Sequence, residues 1–122
     1  MKNYLIAMLL LPPISLSASE SDPGPYQAAT ASYRIYGGSL GDPTAPSPSD
    51  RKIAVSIEGD AARKVFEMIG PDQSNACVEG TKMRLRSRDR ENLSCTRSGE
   101  GEYLCSFGFD LRNGKSIGGS IC

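Results

Sequence analysis

Four arginines at alternate positions form the clearest chemical pattern in this sequence. They are Arg84, Arg86, Arg88 and Arg90. Spacing by two places side chains on one side of an extended strand and its following turn. Guanidinium groups bind carboxylates and phosphates through paired hydrogen bonds. The row therefore predicts a site for a protein with an acidic surface. The alternative is the solvated outer face of a sheet, with Asp89 and Glu91 supplying counter-charge.

A serine motif resembles a hydrolase signature in form only. Residues 37–41 read Gly-Gly-Ser-Leu-Gly, which matches the G-x-S-x-G pattern around a nucleophilic serine. That serine, here Ser39, needs a base to take its proton, and the chain contains no histidine. A proline-rich stretch follows Ser39 in place of the helix that the motif requires. We interpret these residues as a turn.

The other groups that could do acid–base chemistry lie in polar surroundings. Glu100 and Glu102 flank a glycine at the tip of an expected hairpin, and Asp89 and Glu91 alternate with arginines. Nothing near these carboxylates favours a raised pKa. We expect no enzymatic activity and no cofactor.

The four cysteines all lie in the second half of the chain. They are Cys77, Cys95, Cys105 and Cys122. An even number in a small exported domain indicates two disulfides. A four-thiolate zinc site is the alternative, but such sites usually contain C-x2–4-C pairs, and the spacings here are 18, 10 and 17 residues. We favour Cys95–Cys105 with Cys77–Cys122, and keep Cys77–Cys95 with Cys105–Cys122 as the second connectivity.

Alternating and helical patterns locate the elements that would hold these residues. Residues 32–36 form a short expected strand, and residues 37–50, rich in glycine and proline, an exposed loop. Ile53, Val55 and Ile57 alternate with polar residues, as in a half-buried strand. A short helix follows, with Asp60 as its N-cap and Gly70-Pro71 as its end.

Antiparallel strands account for the rest of the chain. Strands are expected at residues 82–87, 93–97 and 102–109, and the last two form a hairpin that places Cys95 opposite Cys105 and Arg97 opposite Tyr103. Asn113-Gly114 predicts a two-residue turn into a last strand, which would place Cys122 opposite Cys105 as well. The fold class is α+β: one short helix packed on a mainly antiparallel meander sheet of about five strands, with two disulfides.

The first nineteen residues predict a secretory signal peptide. Lys2 is followed by an apolar run from Tyr4 to Leu11 and then by small residues up to Ser19. Eight apolar residues are too few for a membrane span, which needs about 20. We therefore expect a signal peptide at 1–19, a flexible leader and loop at 20–50, and a disulfide-stapled domain at 51–122.

The net charge and the predicted export together limit the functions that this sequence allows. The chain has 14 basic and 14 acidic residues, and loss of Lys2 with the signal peptide leaves a net charge of −1. This balance argues against a nucleic-acid binder or a membrane-surface binder. We expect a periplasmic or secreted protein, not a lipoprotein, that binds another protein, as an inhibitor for example. The alternatives are an accessory subunit of an envelope or secretion complex, and, less favoured, a small hydrolase. Tyrosines are candidates for added contact surface: Tyr26, Tyr33, Tyr36 and Tyr103.

Overall fold

The computed structural model describes residues 2–14 and 22–122. Its elements are β1 (Thr30–Gly38), β2 (Pro43–Thr44), β3 (Lys52–Glu58), α1 (Gly59–Met68), β4 (Arg84–Arg88), β5 (Leu93–Arg97), β6 (Tyr103–Asp110) and β7 (Ser116–Ile117). The α+β class is confirmed, with one helix and two disulfides. The sheet has seven strands in place of the expected five. The two-residue strand β2 was not predicted, and the expected last strand, β7, is only two residues long.

All strand pairs are antiparallel, in the order β2-β1-β3-β6-β5-β4, and β7 pairs with β6. The predicted hairpin register is confirmed, since Cys95 lies opposite Cys105 and Arg97 opposite Tyr103. Because residues directly opposite each other share a face, this register defines the two faces of the sheet.

The helix follows β3 without a connecting loop and packs on one face of the sheet. Ala62 and Phe66 are buried against Cys95 and Cys105, and the ring of Phe66 meets that of Tyr103 edge to face at 5.4 Å. We call this side the helix face. The core thus combines the apolar stripe of α1 with the disulfide at the centre of the β5–β6 hairpin.

The predicted N-cap of the helix is wrong. The N-cap is Glu58, without a side-chain capping bond, and Asp60 lies inside the first turn. The helix begins two residues earlier than predicted, and Gly59 adopts a φ of 71°, which allows a sharp exit from β3. Asp60 still stabilises the helix start by charge, since it pairs with Arg63 and Lys64.

Residues 37–50 are more regular than the exposed loop that their composition predicts. β1 continues to Gly38, where Gly37 and Gly38 pair with β2. The backbone NH of Gly38 donates to the Asp50 carboxylate at 2.8 Å, which ties the end of the loop to its start. Side chains at both glycines would crowd the loop backbone, so glycine permits this close approach.

The last turn also differs from its prediction. Phe109 pairs with Ser116, so residues 111–114 form a four-residue loop in place of a two-residue turn at Asn113-Gly114. β6 ends at Asp110. The backbone NH of Leu111 still donates to the carbonyl of Arg51, and the side chain of Arg112 turns back to pair with Asp110. The shifted register carries Cys122 away from Cys105.

Candidate functional site

The disulfides pair Cys95 with Cys105 and Cys77 with Cys122, the connectivity favoured from the sequence. The first lies under α1 and is fully buried, whereas the cysteines of the second are exposed. The second bridge links the segment before β4 to the C-terminus across 45 residues of sequence. Both disulfides therefore constrain the part of the fold that would position a binding surface.

The arginine row lies on the helix face of the sheet. Arg86 is opposite Cys95, so Arg84, Arg86 and Arg88 share the face that carries α1. Arg90 does not join them, because it lies in the turn after β4 with a φ of 53°. The structure thus brings together three of the four predicted arginines.

These three arginines contact the chain itself. Arg84 donates two hydrogen bonds to the Asp72 carboxylate, at 2.8 and 3.1 Å, and Arg86 donates a third at 2.8 Å. Arg86 also donates to the carbonyl of Phe66 at 2.9 Å, and Arg88 donates to the carbonyl of Gly70. The hydrogen bonds from Arg84 and then from Arg86 lower the pKa of Asp72 to about 2. These arginines therefore tie the end of α1 to β4, and their predicted role in partner binding stays a prediction.

Ser39 lies in the turn between β1 and β2. Its hydroxyl accepts a hydrogen bond from the backbone NH of Asp42 at 3.1 Å. A strand follows this serine, and not the helix of a nucleophile elbow. The hydroxyl therefore serves the turn that the sequence predicted here.

A cleft of about 710 Å³ lies between the start of α1 and the β5–β6 hairpin. Glu58, Asp60 and Glu102 line it together with Arg63 and apolar side chains such as Leu104. Hydrogen bonds from Arg63 and Lys64 hold the pKa of Asp60 below its usual range, so this carboxyl is already paired as an anion. Within residues 2–14 and 22–122, no group of three or more histidine, cysteine or acidic side chains could hold a metal ion.

A surface that the sequence analysis missed lies beside the helix on the same face. Six apolar side chains from three neighbouring strands form two rows. The first row is Tyr33, Val55 and Phe107, and the second is Ile35, Ile53 and Phe109. We call these six residues the apolar grid.

The apolar grid is open to solvent. Tyr33 is 73% exposed, Ile35 47% and Phe109 40%, and the other three members are half-buried. Phe107 and Phe109 meet edge to face at 6.2 Å, so the aromatic rings are held relative to each other. Large, ordered apolar side chains left in water on a sheet face are typical of interaction sites.

The two ends of the apolar grid have different boundaries. The next row towards α1 contains Ile57 and Cys105, which the helix covers. At the other end, Ile35 joins Pro46, Pro48 and Leu111 in an apolar cleft of about 360 Å³. The apolar grid therefore lies between α1 at one end and the loop that contains Pro46 and Pro48 at the other.

The signal for this surface was present in the alternation of β1, β3 and β6. The sequence predicted the half-buried stripe of β3 and Tyr33 as a candidate contact residue, but it did not place the apolar stripes of the three strands side by side. A ten-residue helix is only about 15 Å long, and a face of five strands is about 20 Å wide. One short helix therefore leaves part of the face uncovered.

The N-terminal apolar run is exposed over residues 2–14 and has no regular secondary structure. The small residues that end the predicted signal peptide, from Ser15 to Ser19, lie outside the described residues. Among the described helices, none is long and apolar enough to cross a membrane. No protein-family model, curated protein or solved structure matches this chain.

Proposed function

We propose that this protein is an exported, non-enzymatic binding protein that recognises another protein through the apolar grid. The exposed grid is the observation that carries the proposal. Folded proteins rarely leave contiguous aromatic and branched side chains in water unless a partner covers them. Tyrosine and phenylalanine are also enriched at protein interfaces, and tyrosine is among the residues that dominate binding energy.

The opposite face of the same three strands supports this choice of surface. Most side chains there are small or polar, including Arg34, Ala54, Ser56 and Ser106, and of the larger apolar ones Tyr36 is buried. Ser56 and Ser106 are hydrogen-bonded to each other at 3.2 Å. The two faces therefore differ sharply in character, and only one offers a large apolar area.

Export has separate support. The apolar run from Tyr4 to Leu11, closed by Pro12-Pro13, has the pattern of a signal peptide. Disulfides persist in oxidising compartments and are rare in the cytosol. A periplasmic or secreted partner fits both observations, and we propose inhibition of an exported enzyme as the consequence of binding.

A matched set of variants tests this function. Ile35→Lys combined with Phe109→Lys places two charges in the apolar grid, while Leu104→Lys places one on the opposite face at a site of similar exposure, 38%. Each protein is assayed against purified lysozymes and exported proteases, and is used to capture partners from envelope extract for identification. We expect micromolar or tighter binding that falls at least tenfold in the double variant and less than twofold in Leu104→Lys.

The opposite pattern would overturn the proposal. Binding that survives the double variant, or that Leu104→Lys removes, would place the site elsewhere. The absence of a partner in every assay would contradict a binding function. Recovery of one large envelope complex without inhibition of any enzyme would favour the accessory-subunit alternative over the inhibitor.

A further inference from the structure

We infer that the outer edge of β1 takes up an extended segment of the partner as an additional strand. This inference rests on the proposed function, since the added strand would continue the apolar grid. The segment would have alternating apolar side chains and a carboxylate that meets Arg34. Three features of β1 support this inference: its unpaired outer edge, its side chains and the charge of Arg34.

The edge strands β4 and β1 differ in whether other residues cover their outer backbone groups. At β4, the backbone NH of Gln73 donates to the carbonyl of Leu85 at 2.7 Å, and its side-chain amide donates to the carbonyl of Ser87. Residues around Gln73 therefore cover that edge. At β1, β2 pairs only with Gly37 and Gly38. Within the described residues, Thr30–Tyr36 pair with β3 alone.

The open part of β1 carries only one of the features that usually protect an edge strand, the charge of Arg34. Natural edges carry proline, lysine, bulges or covering loops, because unpaired NH and carbonyl groups otherwise recruit another strand. Residues 30–36 contain no proline or lysine and pair with β3 without interruption. Side chains 30–35 are all exposed. This edge can therefore hydrogen-bond an incoming strand of about seven residues.

The side chains of β1 define what that strand would contain. Tyr33 and Ile35 point to the apolar grid, so apolar side chains on the same face of an added strand would extend both rows. Arg34 points to the other face, where the described residues provide it no ion pair. Cross-strand pairs of opposite charge are favourable, so a carboxylate opposite or diagonal to Arg34 would be preferred.

The same charge argues against a second copy of this chain as the occupant. Full antiparallel overlap of residues 30–36 with themselves centres on Tyr33 and places Arg34 opposite Ser32 of the other copy. The two Arg34 guanidinium groups would then be diagonal neighbours on one face, where like charges repel. A partner strand with an acidic residue avoids that repulsion.

Selection from a library of displayed linear peptides tests the inference on the purified, oxidised protein. We expect enriched peptides with period-two apolar alternation and an Asp or Glu on the polar face. Arg34→Glu should weaken binding at least tenfold, and a peptide whose carboxylate is replaced by Lys should bind Arg34→Glu better than the original peptide does. Lys115→Glu, the same charge change at a remote exposed site, should alter affinity less than twofold.

Backbone methylation of the best peptide supplies a signature specific to strand addition. An added strand uses every second NH, so N-methyl groups at one alternating set should abolish binding and those at the other set should not. Amide hydrogen exchange should slow across residues 30–36.

Three outcomes would overturn the inference: no enriched peptide, peptides with apolar residues at helical spacing, or dimerisation through β1. If binding still requires Ile35 and Phe109 in any of these cases, the proposed function stands without the added strand.

Discussion

The guanidinium of Arg86 lies over the ring of Phe66, 4.3 Å from its centroid, and donates a hydrogen bond to the carbonyl of the same residue. One side chain of β4 thus contacts both the ring and the backbone of α1. Because Phe66 is the central core residue of the helix, Arg86 fixes the helix to the edge of the sheet at its C-terminal end.

Removal of this contact should destabilise the fold. Stacking of a cation on an aromatic ring and two charge-assisted hydrogen bonds are lost in Arg86→Ala, so we expect a loss of about 2–3 kcal/mol in the free energy of unfolding. Arg90→Ala, in the exposed turn, should change it by less than about 0.5 kcal/mol. Urea unfolding measures the free energy of unfolding of both variants. Equal losses would contradict the role of Arg86 in holding α1 to β4.

Stability should fall in acid because of Asp72. Hydrogen bonds from Arg84 and Arg86 lower its pKa from the ordinary 3.8 to about 2 in the folded protein. A carboxyl with a lowered folded pKa stabilises the fold fully above its unfolded pKa, and the contribution disappears as the pH falls through the folded value. We expect the melting temperature to drop between about pH 4.5 and pH 2.

Substitutions separate the carboxyls responsible for this pH dependence. Asp72→Asn should lower the melting temperature at neutral pH and flatten its decline in acid. Asp110, whose pKa is also lowered to about 2 through Arg112, should account for the decline that remains. The double variant with Asp110→Asn should be flatter than either single variant. An unchanged acid profile in Asp72→Asn would contradict the assignment.

A glycine near the C-terminus should be intolerant of even a methyl group. A Cβ on Gly119 would overlap the backbone of Phe107, 2.6 Å from its amide nitrogen, whereas one on Gly41 meets nothing within 4 Å. Gly119→Ala should therefore cost about 1–3 kcal/mol, and Gly41→Ala less than about 0.5 kcal/mol. Chemical denaturation of the pair is the measurement, and equal stability would show that the tail does not lie against β6.

The parts of the fold that sequence predicted are those where two signals agree. Apolar alternation and cysteine spacing both require Cys95 opposite Cys105, and one register satisfies both. The turn after Asp110 carried a single signal, Asn113-Gly114. The structure instead has a four-residue loop, in which Leu111 contacts Arg51 and Arg112 contacts Ser49. The two-residue strand β2 pairs with Gly37 and Gly38, which are near in sequence, but the glycine and proline content of residues 37–50 predicted a loop there.

The candidate site was harder to predict because spacing does not identify a face. Alternation correctly placed Arg84, Arg86 and Arg88 on one side of β4, but that side is the one that carries α1. Only the pairing of Arg86 with Cys95 reveals this. The apolar grid needed one more fact, the position of the helix over Ile57 and Cys105, which depends on three-dimensional packing.

Loss of each disulfide should have a different effect on stability and core packing. In the chain-entropy model, closing a loop of 10 residues stabilises by about 3 kcal/mol and closing one of 45 residues by about 4 kcal/mol. Replacing Cys77 and Cys122 with serine should therefore cost up to about 4 kcal/mol and leave the core packing intact. Replacing Cys95 and Cys105 with alanine should cost more than its loop predicts, because those sulfurs fill the space under Ala62 and Phe66.

Thiol chemistry measures the same bridges in the native protein. Labelling under denaturing conditions should detect no free thiol in protein recovered from its compartment. Full reduction of the disulfides should lower the melting temperature by more than about ten degrees. A protease cut between Arg97 and Tyr103 should give two fragments that separate only after reduction, since both Cys95–Cys105 and Cys77–Cys122 join the two sides of the cut. Four reactive thiols would contradict both export and the stapled fold, and would favour the zinc-site alternative.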